Sequence, residues 1–205
     1  MPAAPCFPPQ FGCDGEIAVL YDYNPAKAKQ LLQEAGLTLP VKIDFWYPTD
    51  VSRPYMPDPK RNFEAFSASL EQAGFKVVPH SAPWSPDYLG KSDEGQLQVY
   101  LLGWTGDFGD PDDFIGVFFR SPQKQWGTTD SDEMNAVQKL LEQARAETDE
   151  AKRTEMYQEA NRQIMTILPG VPYAHNKPAV AFQANVSGYV PSPVDLQSFA
   201  TVSVG

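Results

Sequence analysis

Cysteine, histidine, long apolar runs and basic charge are all scarce in this chain of 205 residues, and each scarcity narrows what it can be. The only cysteines, Cys6 and Cys13, could close one small loop in an oxidising compartment or remain free thiols, and both readings stay open. With His80 and His175 they form no paired C-x-x-C or H-x-x-x-H spacing, so no zinc site is expected. No apolar stretch approaches the length of a bilayer span, and Met1-Pro2-Ala3-Ala4-Pro5 has no basic and apolar export signal. A soluble chain is expected, with any such signal removed or never part of this piece. Lys and Arg total 16 against 26 Asp and Glu, a net charge of −10. That balance argues against nucleic acid, which needs clustered cations to neutralise phosphates, and against an anionic membrane surface.

What the chain does contain is a core. Its hydrophobic fraction of 42% is that of a globular protein, and its length suggests one domain or one and a half. The twenty prolines cluster at the start, around 48–59 and from 169 onward, and no internal repeat is visible. Residues 1–20 read as an irregular lead-in. Asn24-Pro25 begins a helix with an apolar face of Ala28, Leu31, Leu32 and Ala35, and Gly36 stops it. Residues 41–47 alternate as a strand. Phe63, Phe66, Leu70 and Ala73 mark a second helix, ended by Gly74 before a short strand at 75–79. Residues 84–94 read as a helical crossover and 96–102 as a third strand. Two further helices carry stripes of Met134, Val137, Leu141, Ala144 and of Met156, Ala160, Ile164, and 171–182 reads as a returning strand that Pro178 interrupts. This alternation predicts an α/β fold with a mixed, largely parallel sheet flanked by helices.

In such sheets ligands bind beyond the carboxyl ends of strands, which singles out two loops. After the third strand comes Gly103-Trp104-Thr105-Gly106-Asp107-Phe108-Gly109-Asp110-Pro111-Asp112-Asp113-Phe114. Asp110 before Pro111 reads as a helix cap, and Asp112 and Asp113 complement the helix macrodipole. Asp107 lies between glycines ahead of the cap and has no such structural duty. Calcium is another reading of these oxygen donors, although their spacing is not that of an EF-hand.

The loop after Tyr47 contains Ser52-Arg53-Pro54-Tyr55. Taken alone, Arg53 reads as a solvated surface residue. Paired with Asp107 across one sheet edge, it becomes one of two poles, because a guanidinium suits a carboxylate and a carboxylate suits an ammonium. A dipeptide carries both ends. Tyr47, Tyr55 and Trp104 are candidate walls for its side chains, whereas Phe45 and Trp84 read as core.

The stretch Asn24-Pro25-Ala26-Lys27-Ala28-Lys29-Gln30-Leu31-Leu32 with Ala35-Gly36, then Ser52-Arg53-Pro54-Tyr55, then GWTGDFGDPDDF at 103–114, resembles the dipeptide- and oligopeptide-binding proteins of bacterial ABC importers, the family 5 extracellular solute-binding proteins. The likeness runs on through Gly188-Tyr189-Val190 and Phe199-Ala200-Thr201-Val202-Ser203 and covers nearly all of the chain after residue 20. It implies one lobe of a two-lobed, type II periplasmic-binding-protein-like fold. Residues 21–184 would form the ligand-binding lobe and 185–205 a tail returning to a missing amino-terminal lobe. It implies a receptor and not an enzyme, without cofactor or metal, periplasmic or otherwise extracytoplasmic and associated with the membrane by docking on a permease. The peptide's amino terminus falls to Asp107 and its carboxylate to Arg53, with Tyr55, Trp104 and Thr105 nearby. An isolated lobe would bind weakly, having half the contacts. Relatives in the broad family carry nickel, haem, opines or sugars. The rival class is a hydrolase using Asp107 with Asp110 or Asp112, for which no Ser-His-Asp or Gly-x-Ser-x-Gly signature offers support.

Overall fold

A computed structural model of the chain describes residues 21–129, 131–175, 179–192 and 197–205. Cys6, Cys13 and Pro178 lie outside the described residues. Two compact units are present: residues 21–103 with 123–129 form one, and 104–122 with the described residues from 131 onward form the other.

The first unit is built on a parallel sheet. Strand β1, Val41–Pro48, pairs with β2, Phe75–Ala82, over eight aligned positions and with β3, Val99–Tyr100, over two, giving the order β2-β1-β3. Helix α1, Pro25–Glu34, precedes β1; Asn24 caps it by accepting from the Lys27 N–H at 2.9 Å. Helix α2, Pro59–Gln72, crosses from β1 to β2, with Asp58 as its cap and Pro59 in the first turn. Alternation along β1 sends Ile43, Phe45 and Tyr47 toward α2, where Phe63 meets Phe45 at 4.9 Å and Tyr47 at 4.7 Å between ring centroids. On the other face Trp46 stacks on His80 at 4.7 Å, and His80 Nε2 lies 3.1 Å from Asp44 Oδ1. The second crossover is a wide helical turn, Trp84–Tyr88, running into α3, Leu89–Asp93.

The expected strand over 96–102 shrinks to two residues because side chains take over its hydrogen bonds. Gln98 Oε1 accepts from the Asp44 N–H at 2.8 Å, in place of a backbone partner. Past Tyr100, the buried hydroxyl of Tyr88 accepts from the Leu101 N–H at 2.9 Å and donates to the Leu101 carbonyl at 2.8 Å. A fully buried tyrosine thus pins the end of β3 and satisfies both backbone groups that the ladder leaves open.

The second unit is largely helical. Helix α4, Ile115–Phe119, leads to α5, Asp132–Ala146, and α6, Glu150–Ile167, whose facing stripes bury Met134, Val137, Leu141, Ala144, Tyr157, Ala160 and Ile164. Both helices were legible, but the α6 stripe is centred on Tyr157 and Asn161 and leaves Met156 half-buried. Leu168, with φ of 53°, closes α6 directly before Pro169. The described residues of the expected strand, 171–175 and 179–182, are not in a strand. Among the described ones only Ala174 makes a bridge, and Pro169 and Pro172 remove donors that a ladder would need. A short antiparallel hairpin, β4 at Val186–Ser187 and β5 at Ser203–Val204, completes the chain.

Candidate functional site

Because β1 and β3 run parallel, the loops after Pro48 and Tyr100 leave the same edge of the sheet. The first is stitched down along its length. Asp50 Oδ1 accepts from the Trp84 N–H at 2.7 Å, tying the loop to the second crossover, and Ser52 Oγ donates to the Pro57 carbonyl at 3.1 Å. Arg53 and Met56 exchange both backbone hydrogen bonds, at 2.8 and 3.1 Å, around the tight turn Arg53-Pro54-Tyr55-Met56. Pro54 supplies the fixed φ that the second position of a turn wants, and fully buried Met56 anchors it. The turn leaves Arg53 exposed, with its guanidinium carbon 5.2 Å from the ring centroid of Trp84. It makes no ion pair among the described residues. Trp84, read from sequence as core, is half-buried against both apolar clusters of this unit and also seats the arginine.

Tyr55 packs against this core, and its ring covers Gly103: a β-carbon built there would lie 2.5 Å from Tyr55 Cδ2. Only glycine permits that approach, so the two loops touch where the acidic one begins. Tyr47, a candidate wall, packs instead on Phe63 as core.

The acidic loop belongs to the second unit. Trp104 is 40% exposed and meets Phe118 edge-on, with centroids 6.1 Å apart. Thr105 is half-buried, and Gly106 is buried beneath the ring of Phe114. Asp110 caps the 3-10 turn Pro111–Asp113 by accepting from the Asp112 N–H at 2.9 Å, as expected from sequence. It does more: its two oxygens take Arg153 Nη1 and Nη2 of α6, each at 2.8 Å. Burial raises the Asp110 carboxyl, but the Arg153 hydrogen bonds, the Asp112 N–H and the guanidinium charge outweigh it and hold it below the ordinary range. Arg153 is raised correspondingly, chiefly by Asp110. Nε of Arg153 donates to the Ala144 carbonyl at 3.1 Å and Nη2 to the Tyr157 hydroxyl at 3.2 Å. Burial, the largest influence, pushes that phenol up to about 12.

Asp112 and Asp113 are likewise committed to specific partners, beyond the general macrodipole role read from sequence. Asp112 pairs with Arg120 Nη1 at 2.5 Å, and Arg120 Nε reaches Glu142 at 3.3 Å. Buried Asp113 accepts from the Phe108 N–H at 3.0 Å. Asp107 is the remaining carboxylate of the four. It is exposed and has no hydrogen bond or ion pair among the described residues.

Of the five residues singled out from sequence, Arg53 and Tyr55 therefore share the first unit, and Trp104, Thr105 and Asp107 the second. Sequence reasoning missed Asp50, Trp84, Arg120 and Arg153. For Arg153 a signal existed, since it stands four residues before Tyr157 in line with the buried stripe of α6, where a cation needs a partner. A recess between α2 and β2, lined by Phe63, Ser67, Val77 and Pro79, holds none of these residues.

Residues 1–126 match the family model of bacterial extracellular solute-binding proteins, family 5, middle region. The chain belongs to the family 5 bacterial extracellular solute-binding proteins. Family 5 proteins are binding proteins and not enzymes. The chain is 34% identical to the dipeptide-binding protein of Escherichia coli K12 over 185 residues, which is 90% of this chain and 34% of that protein. It is 35% identical over 187 residues to haem-binding protein A of Haemophilus influenzae, covering 90% of this chain and 33% of the relative. Among solved structures it is similar to a dipeptide-binding protein of Pseudoalteromonas sp. SM9913 in complex with Met-Leu, with a TM-score of 0.79, 26% identity, and coverage of 100% of this chain and 40% of that one. The chain thus spans about a third of the length of the curated relatives it matches. Its fold is the mixed α/β, type II periplasmic-binding-protein-like fold.

Proposed function

We propose that this family 5 chain is part of the substrate-binding component of a peptide importer, taking dipeptide-like ligands by their two charged ends. Asp107 receives the ammonium and Arg53 the carboxylate, with Tyr55, Trp104 and Thr105 as the further candidate ligand contacts. The observation that most supports this reading is the division of labour in the acidic loop. Three of its carboxylates are neutralised or hydrogen-bonded by the protein itself, and Asp107 alone is presented unneutralised. An exposed arginine held on an aromatic face is the matching pole. A hydrolase reading has little to stand on, because Asp110 and Asp112 are both locked to arginines and neither is available as a proton donor.

In this reading the ligand-bound receptor works in the periplasm and docks on an ABC permease. No helix among the described residues is long and apolar enough to cross a membrane. Val190, Phe199 and Val204 are exposed in the tail, and in this reading they pack on parts of the longer protein, where a second lobe faces this one. Haem is the second reading, favoured by the 35% identity to haem-binding protein A of Haemophilus influenzae. Calorimetric titration of the protein at its full encoded length with Met-Leu and with haemin separates the two. Saturable binding of Met-Leu supports the peptide reading; binding of haemin with a flat dipeptide titration overturns it.

A further inference from the structure

We infer that Arg153 is a positioning residue for ligand binding: it fixes the acidic loop through Asp110 so that Asp107 meets an ammonium in one geometry. This rests on the peptide-receptor reading, and its test is chosen to fail separately from it.

The connection can be followed bond by bond. The peptide group joining Asp107 to Phe108 is held by the Phe108 N–H donating to Asp113 Oδ2 at 3.0 Å. The next peptide group is held by the Phe108 carbonyl accepting from the Asp110 N–H at 3.0 Å. The backbone of the residue following Asp107 is therefore clamped on both sides, and both clamps depend on where Asp110 sits. Asp110 also accepts at its carbonyl from the Asp113 N–H at 3.1 Å, so moving Asp110 moves Asp113 as well.

Beyond the cap bond from the Asp112 N–H, the Asp110 carboxylate is gripped by one side chain. Arg153 grips both carboxylate oxygens, and its own orientation is fixed by the Ala144 carbonyl at the end of α5 and by the Tyr157 ring, whose centroid is 4.9 Å from the guanidinium carbon. The Arg153 side chain, 19% exposed, is anchored on two helices at once. A lysine could keep the charge but not two parallel hydrogen bonds, nor the third to a carbonyl in the same plane. A charge placed by so many donors is what a site needs if it is to distinguish an ammonium from a neutral amide, because loosely held groups lose orientation.

The experiment uses the protein at its full encoded length, with wild type, R153K and D107N titrated with Met-Leu and with N-acetyl-Met-Leu. The ratio of the two affinities reports recognition of the free ammonium. We expect D107N to collapse that ratio and R153K to reduce it about tenfold, while affinity for the acetylated peptide stays within about twofold of wild type. An unchanged ratio in R153K, or equal weakening of both peptides, overturns the inference while D107N continues to support the receptor. An unchanged ratio in D107N instead sinks the receptor reading. Should circular dichroism show R153K unfolded, D110N removes the same bridge from the loop side and is judged by the same two outcomes.

Discussion

Gly103 and Gly106 seat aromatic rings where any other residue would place a side chain, and this explains two of the glycines in the acidic loop better than flexibility does. At Gly103 an alanine would push its methyl into the Tyr55 ring, so Gly103→Ala should lower stability by about 1–3 kcal/mol and the melting temperature by several degrees. A thermal melt followed by circular dichroism checks this, and an unchanged midpoint would mean that Tyr55 is not packed there. The Asp110–Arg153 pair carries a pH signature. The Asp110 carboxyl titrates below its ordinary 3.8 when folded, so its contribution is present above that value and is lost as pH falls through the lower, folded one. Melting curves of wild type and Asp110→Asn should differ at neutral pH and converge in acid. At this scale the sequence was informative about Asp107, because its place between glycines left no structural task. It marked Arg153 only as a cation in line with a buried stripe and did not name its partner Asp110, 43 positions away, nor the tie between Asp50 and Trp84 across 34 positions, because both pairings come from folding the chain.

Among the elements, local signals served best where local chemistry decides. The capping residues Asn24, Asp58, Asp110, Ser131 and Asp149 each accept from a backbone N–H in the first turn they open. The misreadings occurred where side chains replaced backbone partners. Gln98 and Tyr88 shorten β3, and Pro169 and Pro172 lack donors that a ladder through the described residues 171–175 would need. Caps also differ in their consequences. Helix α5 buries five residues, including Met134, Val137 and Leu141, whereas α1 buries none. Ser131→Ala should therefore cost about 1 kcal/mol of global stability, read as a lower denaturation midpoint. Asn24→Ala should speed amide exchange within α1 and leave that midpoint where it was, because α1 can fray without opening the core. A global loss in Asn24→Ala equal to that in Ser131→Ala would contradict this ranking.

The molecule taken whole spans about a third of its curated relatives, so its chemistry is best tested in the longer protein. One consequence concerns the 205-residue chain by itself. Lacking the remaining contacts, it should bind a dipeptide at least about tenfold more weakly than the full-length protein, as calorimetry at matched concentrations would reveal. Equal affinity would mean that these residues contain the entire site. The acidic surface, at a net charge of −10, places no obstacle before a zwitterion, whose two charges cancel at a distance.

The two charged poles remain the heart of the account, and calorimetric titration of the full-length receptor with Met-Leu tests them most directly. Asp107→Ala and Arg53→Ala should each weaken binding by about 10- to 100-fold, the worth of one charge-assisted hydrogen-bonded contact. Affinities in both variants that match wild type would contradict it.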